Sequence, residues 1–343
     1  MTMLVSPRSS QFRVVRSAWK KQTDIDTPIP LNEILTAFNL ADKQVLQIEK
    51  TREAILDCSG QFRLGYRSLT KLGRLPMSIE IDPTTLAGLL AFACGKAAAP
   101  SGNTSAITIL DDTEFDLPMT SFVTGFKGGA SPGQWFQSAV LNELRFGGRI
   151  RERMKATADW VGRGDRPPAT GFSYPNCSAY TPLLLSDGAL SINSVEYLLK
   201  ASNPPRRSTQ FEMLIQNKAL TSDDPFTLGD DQTHRMQRAD LREWQFNWKV
   251  EGEESDSLHS QAVAEDEVEV IWRIGGGPDS TPPYVVVTAP VCIMREDATP
   301  SNFEGEANRN VLNIVLEPKK VSGDATTPFT VSAVMSNSTP FLG

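Results

Sequence analysis

Strict alternation of apolar and polar residues in the second half of the chain constrains its fold most. Trp244, Phe246, Trp248 and Val250 alternate with Gln245, Asn247, Lys249 and Glu251. Val268, Val270, Trp272 and Ile274 do the same with Glu267, Glu269 and Arg273. Successive side chains of a strand point to opposite faces, so such segments bury one face and wet the other. The apolar run 284–287 fits instead a strand covered on both sides, and 311–316 is the last strand of the series. Gly275-Gly276-Gly277-Pro278 is a turn between them.

The first half carries the best-signalled helix. Asp82 can accept hydrogen bonds from free amides at a helix start, and Pro83 suits the first helical position. Leu86, Leu89, Leu90 and Ala93 make one apolar face, which should lie against a sheet, and Gly95 supplies a left-handed stop with Lys96 beside it. Strand-like segments at 53–62 and 77–81 precede this helix. Between them the polar stretch holding Gly65, Arg67, Lys71 and Gly73 reads as a long hairpin loop. After the helix, Phe136, Val140, Leu144 and Phe146 share a face, and Gly147-Gly148 is a two-residue turn into a strand ending near Trp160.

The same order (strand, short helix, further strands) recurs at 244–316 with a weaker helix at 257–266, so the chain reads as a duplicated β unit. The expected layout is an arm and short helix at 1–50, with Leu31, Ile34, Leu35 and Phe38 at helical spacing. A first β unit follows at 51–165, a second at 166–321, and a polar peripheral tail at 322–343. The Gly- and Pro-rich stretch 162–174 is the expected linker.

Chemical equipment is sparse. The two histidines, His234 and His259, each have an aspartate three residues earlier, and no third ligand is in view. Nucleotide-binding, nucleophile-elbow and metalloprotease motifs do not occur. The acidic doublets 111–112, 223–224 and 230–231 sit beside turn formers and suit caps, and Arg163-Gly164-Asp165 is a coincidence of a flexible linker. Cys58, Cys94, Cys177 and Cys292 are too scattered for a metal site and read as buried thiols. No enzyme, cofactor or metal is expected. Residues 1–21 lack the apolar stretch of a secretory signal, and no segment is long and apolar enough for a membrane helix.

Two charge clusters remain. Arg151, Arg153 and Lys155 head a basic one that also takes in Arg145, Arg149, Arg163 and Arg166. Glu253, Glu254, Glu265 and Glu267 belong to an acidic one in which no Lys or Arg falls between Glu251 and Val270. Either they are solvated faces, or they meet across subunits.

Several stretches read in order resemble the tail tube (major tail) proteins of long-tailed bacteriophages. They are LPMSIEIDPTTLAGLLAFACGK at 75–96, TEFDLPMTSFVTGFKG at 113–128, WFQSAVLNELRFGGRIRERMKATADWVG at 135–162, LLLSDGALSINSVEYLLK at 183–200 and FEMLIQNKAL at 211–220. The resemblance implies a β-sandwich or half-barrel with a flanking helix. Its subunits would join edge to edge in rings that stack into the tube through which viral DNA leaves. It implies a virion protein assembled in the bacterial cytoplasm, with itself, the tape measure, the terminator and the distal tail protein as partners. Two tube units per chain imply trimeric, pseudo-hexameric rings, and one unit a hexamer. The net charge of −7 suits a conduit that does not retain DNA, which would pass without specific binding. The stretch from Gly65 to Gly73 is the candidate contact to the next ring. Alternatives are another tail ring component (terminator or distal tail protein), or a carbohydrate-binding or adhesin module using Trp135, Trp160, Trp244, Trp248 or Trp272.

Overall fold

The computed structural model describes residues 47–56, 63–109, 117–124, 133–163, 168–169, 183–198, 207–219, 241–251, 255–277, 279–296, 302–304, 309–320 and 327–336. The chain runs through β1 (Gln47–Leu56), β2 (Arg63–Glu80), helix α1 (Pro83–Cys94), β3 (Gly95–Ala97), β4 (Thr104–Ile109), β5 (Met119–Thr124), β6 (Gly133–Arg149), β7 (Lys155–Arg163) and β8 (Pro168–Ala169). A short 3-10 turn (Leu185–Asp187) leads to β9 (Ala189–Ile192), β10 (Val195–Glu196), β11 (Arg207–Gln216) and β12 (Glu243–Glu251). Helix α2 (Ser255–Val263), β13 (Glu267–Gly275), β14 (Tyr284–Glu296), β15 (Asn302–Glu304), β16 (Arg309–Pro318) and β17 (Thr330–Val334) complete it. The protein is mainly β, as the alternation requires.

All described strand pairings are antiparallel, and they join into one sheet. Its spine runs β1–β2–β7–β6–β11–β12–β16–β14–β13–β9–β10. This sheet curls until β6 and β13 face each other across the core. Phe146 of β6 stacks on Trp272 of β13 with ring centroids 5.4 Å apart, although β11, β12, β16 and β14 intervene along the ladder. Phe211 of β11 meets the same indole edge-on at 4.8 Å. The curl encloses a single large core to which both halves of the chain contribute.

Helix α1 closes that core. Asp82 Oδ1 accepts from the amides of Thr84 and Thr85 at 2.9 and 3.1 Å, and Gly95 ends the helix at φ 97°. The predicted single apolar face is exceeded. Every residue from Leu86 to Cys94 is buried, and the helix packs on β3, β4, β6, β14 and β17. At its C-terminal end the charge complement is Arg242 rather than Lys96. This arginine is only 8% exposed, and its Nη1 donates to the Cys94 carbonyl at 2.9 Å. A cation there meets both an unsatisfied carbonyl and the negative end of the helix dipole.

Several sequence expectations are corrected. The stretch holding Gly65, Arg67, Lys71 and Gly73 is not a loop but part of β2, paired residue by residue with β1. Gly147-Gly148 is not a turn. β6 runs on through both, and the chain reverses at 150–154, where Arg151 takes φ 66°. Phe136, Val140, Leu144 and Phe146 do not all share one face. Bulges near Ser138 (φ 52°) and between Leu141 and Glu143 shift the parity, so Ala139 and Leu141 point into the main core. Val140 joins a small outer cluster with Leu117 and Ala219. Within the expected peripheral tail, β17 lies between β14 and β4, and Phe329, Val331, Ala333 and Met335 are buried.

The recurring order is present as β2–α1–β3–β4 and β12–α2–β13–β14. Both stretches nevertheless belong to one sheet, because the β6–β11 and β4–β17 ladders cross from one half of the chain to the other. The expected helix at 30–45 lies outside the described residues.

Cys94 and Cys292 are buried free thiols. Burial pushes both up to about 12, and at Cys94 the Arg242 guanidinium pulls slightly the other way. A thiolate fraction of about one in ten thousand at pH 8, combined with lack of access, makes both inert. Ellman's reagent on the native protein should leave Cys94 and Cys292 unmodified, as read by peptide mass mapping, and should titrate both in 6 M guanidinium chloride.

Candidate functional site

Three surface features carry functional interest. The first is the β1–β2 ribbon. β2 pairs with β7 only from Leu72 to Glu80, while its pairing with β1 runs from Arg74 back to Arg63. Beyond Leu72 the two strands therefore stand as a ribbon past the end of β7. Among the described residues, β1 has a strand partner on one edge alone. Gly65, Arg67 and Lys71 are on this ribbon, opposite Ile55, Glu53 and Lys50.

Gly73 sits at the ribbon's root and has a packing reason. It faces Gly162 across the β2–β7 ladder, and the Phe136 ring lies over the pair. A Cβ on Gly73 would come within 2.5 Å of Phe136 Cε2 and of the Arg163 carbonyl oxygen, and one on Gly162 within 2.9 Å of Phe136 Cζ. Gly162, expected to open a linker, is thus the last part of a buried aromatic cradle.

The second feature is a cleft of about 430 Å³ where β2, β7, β6 and β11 lie side by side. Arg145, Arg149, Arg153 and Lys155 line it together with Glu80, Glu152 and Glu212. Gly147 forms its floor because β11 passes so close that a Cβ would lie 2.3 Å from the Phe211 carbonyl oxygen. Four members of the predicted basic cluster are therefore brought together in space, with acidic residues among them, whereas Arg163 lies at the other end of β7 and Arg166 outside the described residues. Arg153 pairs with Glu80 at 3.3 Å, and Arg149 Nε donates to Gln210 at 3.1 Å. Arg151 is exposed on the adjoining reversal.

The third is an acidic corner between α2 and β13. Glu265, Asp266 and Glu267 are exposed there, and Glu269 is half-buried. Glu265 approaches Arg295 at 3.4 Å, and Glu267 pairs with Lys319. Sequence reading missed both cations, since they come from β14 and the end of β16. Glu253 and Glu254 lie outside the described residues, as do His234, the three acidic doublets, Cys58 and Cys177. His259 is exposed on α2, and Arg163 ends β7 opposite Leu72.

The aromatic residues answer a different question. Trp160, Trp248 and Trp272 are fully buried. Trp160 meets Phe122 and Phe92 edge-on at 4.7 and 5.6 Å, and Trp248 donates to Ser208 Oγ at 2.8 Å. Trp244 donates to the Pro318 carbonyl at 3.0 Å and packs on Phe329. These rings do not form an exposed platform on which a sugar could stack.

No group of three or more His, Cys, Asp or Glu suited to a metal ion occurs among the described residues. Among the same residues, no helix is long and apolar enough to cross a membrane. Compared with protein-family models and with curated protein sequences, the chain matches none.

Two substitutions separate packing from surface charge. Gly73→Ala should destabilise the protein by about 1–3 kcal/mol, because the Phe136 ring and a carbonyl must both move. A lower urea midpoint with an unchanged slope is the expected result. Arg153→Gln, which breaks an exposed pair, should change stability by less than about 1 kcal/mol in the same titration.

Proposed function

We propose that this chain is a structural subunit of a bacteriophage tail tube, building rings that stack into the conduit for genome delivery. The observation that carries the reading is the β1–β2 ribbon, whose outer strand offers a ten-residue edge without a described partner. Unpaired backbone donors and acceptors along such an edge template the addition of another strand, and closing the sheet between copies removes that hazard. A two-stranded ribbon is also marginal in water by itself, so contact with a neighbour stabilises it. The curled sheet with a buried helix is the kind of unit such rings require. The net charge of −7 suits a lumen that releases phosphates rather than holding them.

The recurring strand–helix–strand order favours three chains per ring with pseudo-sixfold symmetry, six chains being the alternative. Partners in this reading are further copies of the chain, the tape measure, and the terminator and distal tail proteins. The place of action is the virion tail, assembled in the host cytoplasm. A terminator or distal tail ring is the neighbouring reading. It predicts single rings where a tube protein gives long stacks.

Negative-stain electron microscopy of the purified protein should show rings or tubes with an axial pore; particles without a pore at any concentration would overturn the reading. Replacing residues 53–67 by Asn-Gly joins Arg52 to Ser68, which already face each other, through a two-residue turn. This variant should stay folded, with the melting temperature of the parent, yet form no tubes. Tubes of normal length would remove the ribbon from the assembly mechanism.

A further inference from the structure

Four large hydrophobic side chains are exposed among the residues whose burial the structure describes: Ile150 at 50%, Val195 at 37%, Leu241 at 74% and Val263 at 64%. Three of them fall in the two charged regions. Ile150 lies at the tip of the β6–β7 reversal, between Arg149 and Arg151, on the rim of the basic cleft. Val263 ends α2, two residues before Glu265. Val195 is close by on β10, whose partner β9 is tied to the acidic corner through Asn193, which accepts from the Glu269 amide at 2.9 Å. Each region thus sets one or two exposed apolar side chains among charges, and the charges of the two regions are predominantly opposite, the complementarity that steers one protein surface onto another.

These two regions cannot meet within one molecule. The basic corner touches the segment before β9, where Arg153 bridges to Leu184, and that segment leads to Ala189 opposite Arg273. From Arg273 to Glu267 along β13 is about 20 Å at the usual rise per residue. The acidic corner thus lies at the far end of that strand from the basic one.

We propose that the basic cleft and Ile150 of one copy receive the acidic α2–β13 corner and Val263 of a second copy, as a head-to-tail contact. Because the two surfaces differ, each copy keeps one free surface after the first contact. The association therefore propagates into a closed ring or an open stack. Arg145, Arg149 and Lys155 face Glu265, Asp266 and Glu267, while Glu152 and Glu212 in the cleft fix the register by excluding misplaced carboxylates. This contact supplements sheet-edge pairing and does not rest on the tube reading.

The test is sedimentation velocity of the full chain with Ile150→Asp and Val263→Arg, both at exposed positions. Wild type should self-associate at 50 mM NaCl and dissociate progressively towards 500 mM. Each variant alone should associate at least about tenfold more weakly, since each loses an apolar contact and gains a like-charge clash. A 1:1 mixture of the two should recover a complex, because each contributes the surface that the other lacks and the new charges are opposite. Wild type that stays monomeric, salt-independent association, variants that associate like wild type, or a mixture that shows no recovery would each overturn the proposal. Porous tubes built equally well by both variants would sink this contact and leave the tube reading standing. Salt-labile oligomers without a pore would do the reverse.

Discussion

The backbone ladder through β6 is the constraint on which the rest of the structure depends. This strand gives one edge to β7, and divides the other between β5 at its start and β11 at its end. β14 repeats the arrangement, with β13 on one edge and β17 and β16 sharing the other. With β8 also paired at the start of β6, these two long strands satisfy the donors and acceptors of four and three neighbours, which is how buried backbone groups avoid an unpaired cost. Break either and the curl opens, because β11, β12 and β16 carry the sheet from one to the other. The Phe146–Trp272 stack is a consequence of that curl, and it locks the curvature by filling the space between facing walls.

Much of this was legible in the sequence where a local rule governs. The alternation about Trp244–Glu251 and Glu267–Ile274 gave β12 and β13 with the correct face buried. The Asp82-Pro83 start and Gly95 stop gave α1 within a residue. What was not legible depends on distant partners. A glycine that opens a turn and a glycine that lets β11 cross look alike in one dimension, so Gly147 was misplaced. Gly73 and Gly162 are 89 positions apart, and only the fold brings them under the same phenyl ring. The parity of β6 was lost at two bulges, one of them at a serine with positive φ, a position that no residue-type rule marks. β17 reads as a tail because its sequence is short and polar on one face, yet its neighbours bury the other.

The charged clusters were legible as clusters but not as surfaces. Their intramolecular partners, Glu80, Arg295 and Lys319, come from strands far away in the chain. These are exposed pairs, each contributing little to stability. Their energetic weight is small enough that exchanging them for partners on another copy costs little. The buried tryptophans behave in the opposite way. Trp160, Trp248 and Trp272 are committed to the core and unavailable for recognition, and the described surface regions discussed above are electrostatic with a few apolar points.

In the assembly proposed above, what holds the subunit together is separate from what would join it to others. The core and the β6 and β14 ladders are apolar and hydrogen-bonded, and insensitive to salt. The ribbon edge and the two charged corners are open to solvent and to ionic strength. Edge pairing supplies many directional hydrogen bonds but little choice of partner, since any strand has the same backbone. In the proposed contact, charge placed around an exposed Ile150 or Val263 would supply the choice, because a misregistered copy would meet like charges. The two proposed devices are complementary for that reason: one would make assembly strong, and the other would restrict it to a single geometry.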